Sequence, residues 1–431
     1  MIMKGVRHIM QREEYISVDF YRLVLALSSA LDLISVGLGK HHIQVALITA
    51  KILENFRLDS YELSKTIYAA MVHDIGVSSH TSKKKIVEMD DEGSFYIGHA
   101  IDGCRLLEKS SLLGFLSETV LHHHDRWDGK YNISGLSGAR IPLGSRVIYL
   151  ADRIAILLTD QKNILNKYES IITEIKKCSG KKFDPDLVNE FLCISKKPTF
   201  WLDITSSRCG WLLERYLMKN CNNSINTSFV DLDGLLDISN IFAEVVDAKS
   251  SFTYMHSKLV SAVAKKMAII FKFPEDYCNA IKIAGLLHDL GKLAIPDEIL
   301  EKPGKLTKEE INIMKSHPYY TYHILDMVPG FEKIKEWAAY HHECLDGSGY
   351  PFVKTDKDLS REARLMAVSD IFTALIENRP YRSGMNRITV ENTLKEKVSA
   401  GHLDKIIVEA ALDNYKDLET CKEILYNKYT A

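Results

Sequence analysis

Residues 286–291 read LLHDLG, and residues 71–76 read MVHDIG. An adjacent His-Asp pair, flanked by apolar residues and closed by glycine, thus occurs twice. Working outward from the second pair, the conspicuous polar residues are His256, His288-Asp289, His317, His341-His342 and Asp370. Their successive separations are 32, 29, 24 and 29 residues. Around the first pair stand His41, His73-Asp74, His99, His123-His124 and Asp152, separated by 32, 26, 24 and 29. Three of the four gaps agree. Val45 and Val260 both lie four residues after the first histidine, and VIYLAD at 147–152 faces LMAVSD at 365–370.

Seven polar positions in the same order, twice, are poorly explained by coincidence. The chain reads as a duplicated domain of about 200 residues per copy. Apolar residues recur at helical spacing in Leu23–Leu38, Leu259–Phe271 and Val390–Leu412, whereas alternating β-branched runs are scarce. An all-α fold follows. The expected division is 1–198 for the first copy, 199–228 for a linker and 229–431 for the second. Ser179–Leu192 closes the first copy, and NCNNSINTS at 220–228 is the most linker-like stretch.

Composition narrows the function. At 431 residues the chain exceeds one typical core. A net charge of −2 and a pI near 6.8 supply no bulk field for long nucleic acid. The run Lys83-Lys84-Lys85 reads as solvated surface. Eight scattered cysteines form no CxxC pair, which points to reduced thiols rather than a disulfide framework or zinc knuckle. No apolar run approaches the roughly 20 residues that span a bilayer. The opening MIMKGVRHIMQREE lacks the pattern of a secretory leader. A soluble, cytoplasmic protein without a membrane span is expected.

Imidazoles and carboxylates in this combination suit divalent transition metals, and a shared carboxylate suits a pair of them. Any one histidine alone is more often a satisfied core or surface residue. That reading fails for the set, because it requires the same accidents at matching intervals in both halves.

The second half resembles the HD-GYP branch of the HD metal-dependent phosphohydrolases. The matching text is LLHDLGKLAIPDEILEKPGKLTKEE (286–310), KSHPYYTYHIL (315–325), HHECLDGSGYP (341–351) and MAVSDIFTALIENRPYR (366–382). The first half is similar to the same fold in degraded form, including GKKFDPDLVNEF at 180–191. The resemblance implies two tandem HD-type helical domains. It implies that His256, His288, Asp289, His317, His341, His342 and Asp370 hold two divalent metals, iron or manganese first, zinc or nickel next. Asp289 would bridge them. Lys292 would reach the scissile phosphate, and Arg379 another phosphate oxygen. Gly347, Gly349, Tyr350 and Pro351 would form the substrate-side loop.

Two departures from the family pattern stand out. Some relatives hold a third metal through a glutamate four residues before the first histidine, where this chain has Phe252. The usual HHER is HHEC here, with Cys344 in place of arginine; a small filler is the simplest reading of that thiol.

The first copy keeps His41, His73, Asp74, His99, His123, His124 and Asp152. It has Val77 where Lys292 stands, Gln161 where Arg379 stands, and DGKYNI (128–133) in place of DGSGYP. A metal site without phosphate-binding cations implies little or no hydrolysis, and a regulatory or dimerising role; the plainer reading is a structural lid.

For the whole chain the leading expectation is a cyclic dinucleotide phosphodiesterase that opens the ring with metal-activated water. A degraded copy before an intact one, with no recognisable sensor domain, resembles bacterial enzymes that open 3′,3′-cyclic GMP-AMP, and that resemblance places this substrate slightly ahead of cyclic di-GMP. The alternatives are an HD phosphohydrolase of mononucleotides or alarmones, and a non-catalytic cyclic dinucleotide receptor. A homodimer is compatible with all three.

Overall fold

The structure, a computed structural model, describes residues 17–34, 39–77, 95–158, 163–221, 229–249, 255–378 and 383–430. Phe252, Gln161, Arg379 and the Lys83–Lys85 run lie outside these residues. Among the described residues every regular element is helical, and strand-like pairing is confined to two isolated bridges. The all-α expectation holds.

Local chemistry sets many helix starts. Asp19, Asp59, Asp184, Asp231, Ser360, Asn386 and Asp404 each accept a backbone N–H from the helix they precede. Each relieves an orphan donor of a first turn. Thr307 and Glu310 form a reciprocal capping box ahead of Lys308–Met314.

In each copy the helix that begins with the first histidine runs through the core. Val45, Ala46, Leu47 and Ile48 are buried in one copy, and Leu259, Val260, Val263 and Ala264 in the other. The His41–Leu53 helix packs on Ser60–Met71 and Leu143–Leu157, and the His256–Ile270 helix packs on Glu275–Leu287 and Arg361–Ile376. This packing brings a helix start, a helix end and a mid-helix aspartate to one place.

The glycine of each HD pair is required by close approach. A Cβ at Gly291 would lie 1.9 Å from the carbonyl oxygen of His317, and one at Gly76 would lie 2.1 Å from that of His99. Only a residue without a side chain lets the HD turn press against the turn of the next ligand. This accounts for the final G in both LLHDLG and MVHDIG.

The expected linker at 199–228 needs correction over 199–220. Pro198–Thr205 and Cys209–Asn220 are helices. Trp201 is fully buried, donates its indole N–H to the Ser195 carbonyl at 2.8 Å and stacks on Tyr168. Tyr21 donates to the Gly210 carbonyl, and Gln44 to that of Ile204. These helices therefore pack on elements of the first copy. The polar composition of 220–228 drew attention to the right region, but Trp201, Leu213 and Leu217 face inward at helical spacing and were absorbed into too long a linker. Residues 222–228 lie outside the described ones.

The copies meet through their opening helices. Val18 and Val230 exchange backbone hydrogen bonds of 3.1 and 2.7 Å at equivalent points just before those helices. From there Phe20–Asp32 packs on the second copy's Leu290–Ala294 turn and His317–Leu325 helix. Reciprocally, Asp237 of Leu232–Ala248 accepts from the Ser110 hydroxyl and the Leu112 N–H, and Glu244 pairs with Lys109 at 2.6 Å.

Trp201→Ala is expected to cost about 3–5 kcal/mol, the usual loss for emptying a buried aromatic site. Urea unfolding of the full chain checks this; a change below about 0.5 kcal/mol is what a surface linker residue gives.

Candidate metal centre

The second copy's candidate ligands occupy helix termini. His256 and His317 open helices, His288 and His341 follow helix ends, and Asp370 lies within Arg361–Ile376. Helix ends leave carbonyls without partners, and the imidazoles use them. His288 Nδ1 lies 2.8 Å from the Gly285 carbonyl, His317 Nδ1 2.8 Å from that of Met314, and His341 Nδ1 2.6 Å from that of Ala338. A backbone carbonyl accepts only, so each Nδ1 donates, and each Nε2 presents its lone pair inward.

Those lone pairs converge on carboxylates and on one another. Asp289 Oδ2 lies 3.2 Å from His288 Nε2 and 3.9 Å from His256 Nε2. Its Oδ1 lies 3.4 Å from His317 Nε2 and 4.0 Å from His341 Nε2. Asp370 Oδ1 lies 3.2 Å from His256 Nε2 and 3.9 Å from His288 Nε2. The Nε2 atoms of His317 and His341 face each other at 3.3 Å. Donor atoms of His256, His288 and Asp370 fall within 4.8 Å of one another, as do those of His317, His341 and His342. Asp289 thus offers one oxygen to each group.

The charge balance favours cations. Burial lowers the pKa of His317 to about 3 and that of His341 to about 4, and drives His342 well below its usual value, so these rings are neutral. Burial favours protonated Asp289, but His288 and Lys292 outweigh it and hold the carboxyl well below its ordinary range. Lone pairs meeting lone pairs beside buried carboxylates fit a divalent metal pair, and the fixed Nδ1–H tautomers fit it too. The structure brings the seven second-copy ligand candidates together.

Lys292 sits in the Leu290–Ala294 turn with Nζ 2.5 Å from Asp289 Oδ2, at the rim of the cluster. Tyr350 lies beside the ligands, its ring 4.9 Å from that of His342 and 5.1 Å from Lys315 Nζ. Gly347 takes φ of 80°, and a Cβ at Gly349 would sit 2.4 Å from the Cys344 amide nitrogen, so both turns need glycine. The Tyr350–Pro351 peptide is cis. Cys344 is half-buried, and burial raises its pKa, which makes it a poor thiolate.

Several residues that contact the cluster or its loop escaped the spacing argument. Glu377 accepts from His256 Nδ1 at 3.0 Å while 3% exposed, a carboxylate behind an imidazole. Burial opposes charge on His256, but Asp370 and Glu377 raise its pKa to about 10. Glu343 accepts from the Phe352 and Lys354 amides at 2.7 and 2.8 Å and pins the loop that carries Tyr350. Lys315 was passed over as one lysine among many.

The first copy brings its seven candidates together as well. Asp74 Oδ1 lies 3.2 Å from His99 Nε2 and 3.7 Å from His123 Nε2, and Oδ2 lies 3.4 Å from His73 Nε2 and 3.9 Å from His41 Nε2. Asp152 lies 3.0 Å from His41, and His124 Nε2 is 3.1 Å from His99 Nε2. His73 and His123 again donate from Nδ1 to carbonyls three residues back. Val77 is buried where Lys292 reaches its aspartate. In this copy the HHER arginine survives as Arg126, which forks onto Asp128 at 2.9 and 3.0 Å. In the second copy the corresponding Asp346 is served by Ser348 instead. The arginine is thus a loop brace in the first copy, and its replacement by Cys344 removes that brace.

This all-α tandem, with a His/Asp cluster in each half, is similar to known proteins. HD-domain family models match residues 38–157 and 240–407. The chain belongs to the HD-domain family and carries two such domains. It is 28% identical to a 3′3′-cGAMP-specific phosphodiesterase of Vibrio cholerae over 92% of either chain. It is 36% identical to a cyclic di-GMP phosphodiesterase of Pseudomonas aeruginosa over 40% of this chain and 42% of that one. Its fold is similar to that in a crystal structure of a Vibrio cholerae cyclic GMP-AMP-specific phosphodiesterase. That match has a TM-score of 0.65 and 23% identity, over 94% of this chain and 98% of that one. No helix among the described residues is long and apolar enough to cross a membrane, and the eight cysteines form no disulfide.

Glu377→Gln is expected to weaken metal affinity by about 10- to 100-fold, the usual effect of losing a ligand's carboxylate partner. Metal titration of the apo chain checks this, and unchanged affinity removes Glu377 from the site.

Proposed function

We propose that the second copy hydrolyses a cyclic dinucleotide to its linear form, with 3′,3′-cyclic GMP-AMP ahead of cyclic di-GMP. One contrast carries the reading: both copies gather the same ligand set, but only the second sets Lys292 and the Tyr350 loop beside it. A ligand set alone serves many phosphohydrolases. A lysine at the bridging aspartate and an aromatic ring at the rim suit an anionic phosphodiester joined to a flat base. The order of substrates is supported by the relative named for cyclic GMP-AMP, which aligns along nearly the whole tandem. The relative named for cyclic di-GMP aligns with less than half of it.

His256, His288, Asp289, His317, His341, His342 and Asp370 hold two divalent metals in this reading, iron or manganese first, zinc or nickel next. Such a pair, when bound, activates water near neutral pH and neutralises the phosphate. Lys292 is placed to leave Asp289 and stabilise charge on a non-bridging oxygen, and Arg379 is assigned a second phosphate contact. Gly347, Gly349, Tyr350 and Pro351 form the substrate-side loop, held by Glu343. The first copy runs to Cys221 and binds metal without hydrolysis through His41, His73, Asp74, His99, His123, His124 and Asp152. Its opening helix backs the turn that carries Lys292, which suits a regulatory partner.

Supplying each cyclic dinucleotide separately to manganese- or iron-loaded protein, with product analysis, tests the assignment. A linear dinucleotide product from cyclic GMP-AMP is expected, with the His288→Ala/Asp289→Ala variant inert. Lys292→Ala is expected to lower kcat by about 10²–10³-fold with metal content retained. Both dinucleotides intact, or equal behaviour of wild type and the double variant, contradicts the assignment.

A further inference from the structure

The first copy contains one histidine that the duplication does not explain. Because His41 aligns with His256, the neighbour His42 aligns with Ser257. Both are buried, and both are backed by an aspartate ten residues earlier, in the last turn of the opening helix. Ser257 donates its hydroxyl to Asp247 Oδ1 at 2.7 Å. His42 Nδ1 lies 2.6 Å from Asp32 Oδ1, which also accepts the His42 backbone N–H at 3.2 Å. The same carboxylate therefore supports a short hydroxyl in one copy and a full imidazole in the other.

The extra length reaches the cluster. With Nδ1 on Asp32, His42 Nε2 points inward and lies 4.0 Å from Asp74 Oδ2. Its ring centroid is 5.4 Å from that of His41 and 5.0 Å from that of His73. Donor atoms of His42, His73 and Asp74 fall within 4.8 Å of one another. In the second copy the corresponding oxygen, Asp289 Oδ2, faces the ammonium of Lys292. In the first copy Val77 supplies no charge at that position, and His42 instead offers a sixth imidazole to the cluster.

We propose that His42, oriented by Asp32, is a further ligand of a metal in the first copy, one that makes this centre closed and non-catalytic. The inference rests on the reading that the first copy holds metal. Structural metal sites fill their coordination sphere with protein, whereas catalytic sites leave a position open. Replacing a serine by a ligating imidazole and a lysine by valine moves the site from the second kind towards the first. An N-rich set of six imidazoles and two carboxylates suits a divalent transition metal held for long periods.

The test uses the full chain with His288→Ala/Asp289→Ala, which removes the second copy's metal and leaves the first copy as the site counted. Metal per protein is measured by elemental analysis, and release into excess chelator is followed in the zinc-loaded form. His42→Ser installs the residue that the same scaffold already carries in the second copy. Asp32→Asn keeps the imidazole and removes its anionic backing. Circular dichroism confirms that each variant is folded. The parent is expected to retain metal, His42→Ser to release it at least about tenfold faster, and Asp32→Asn to fall between them. A weaker cobalt(II) ligand-field shift in His42→Ser is expected in parallel. Metal retained by the parent, with release and spectrum unchanged in both variants, overturns the inference alone and leaves His42 as an imidazole ion-paired to Asp32. A parent without metal overturns the underlying reading as well.

Discussion

A buried carboxylate shared between two groups of imidazoles is the constraint on which the rest depends. Asp289 is 2% exposed, and Asp74 3%. Taking a carboxylate out of water costs several kcal/mol unless cations compensate; the neutral rings of His317 and His341 offer lone pairs rather than charge, and in the second copy the Lys292 ammonium lies 2.5 Å from Asp289 Oδ2. The fold therefore places each HD pair where cations are demanded. The glycine after each pair lets the next ligand's turn close over it, and the helix ends beneath orient the rings. Stability and metal chemistry share one arrangement.

That arrangement was duplicated, and the copies then diverged in what surrounds it. One lysine, one loop and one imidazole separate them. Lys292 and the Tyr350 loop lie beside one cluster, while Val77 and His42 stand at the other. The copies remain coupled, because each opening helix lies against the other copy. Phe20–Asp32 ends at the aspartate that holds His42 and also contacts the turn that carries Lys292.

Much of this was legible in the sequence because ligands at helix ends repeat at fixed spacing whatever lies between them. The seven-position pattern located both clusters, and Lys292 against Val77 marked a difference between them. Partners that act through another residue left no such trace. Glu377 lies 121 residues from His256 and joins it only through packing. Asp32 looks like any helix-ending acid. His42 was hidden because the second copy has Ser257 at the matching position, so the repeated pattern did not mark it. Trp201 was lost in a supposed linker because its partner Tyr168 lies well upstream and no local pattern links them. Arg126 shows the reverse: only its fork onto Asp128 reveals what the arginine missing at Cys344 does.

The most direct measurement is the turnover of 3′,3′-cyclic GMP-AMP by the full metal-loaded chain with the two shared aspartates changed one at a time. Asp289→Asn is expected to abolish product, while Asp74→Asn leaves turnover measurable and alters only its rate or the chain's metal content. Hydrolysis that survives Asp289→Asn, or that disappears equally in both variants with both still folded, contradicts the division into one catalytic and one non-catalytic copy.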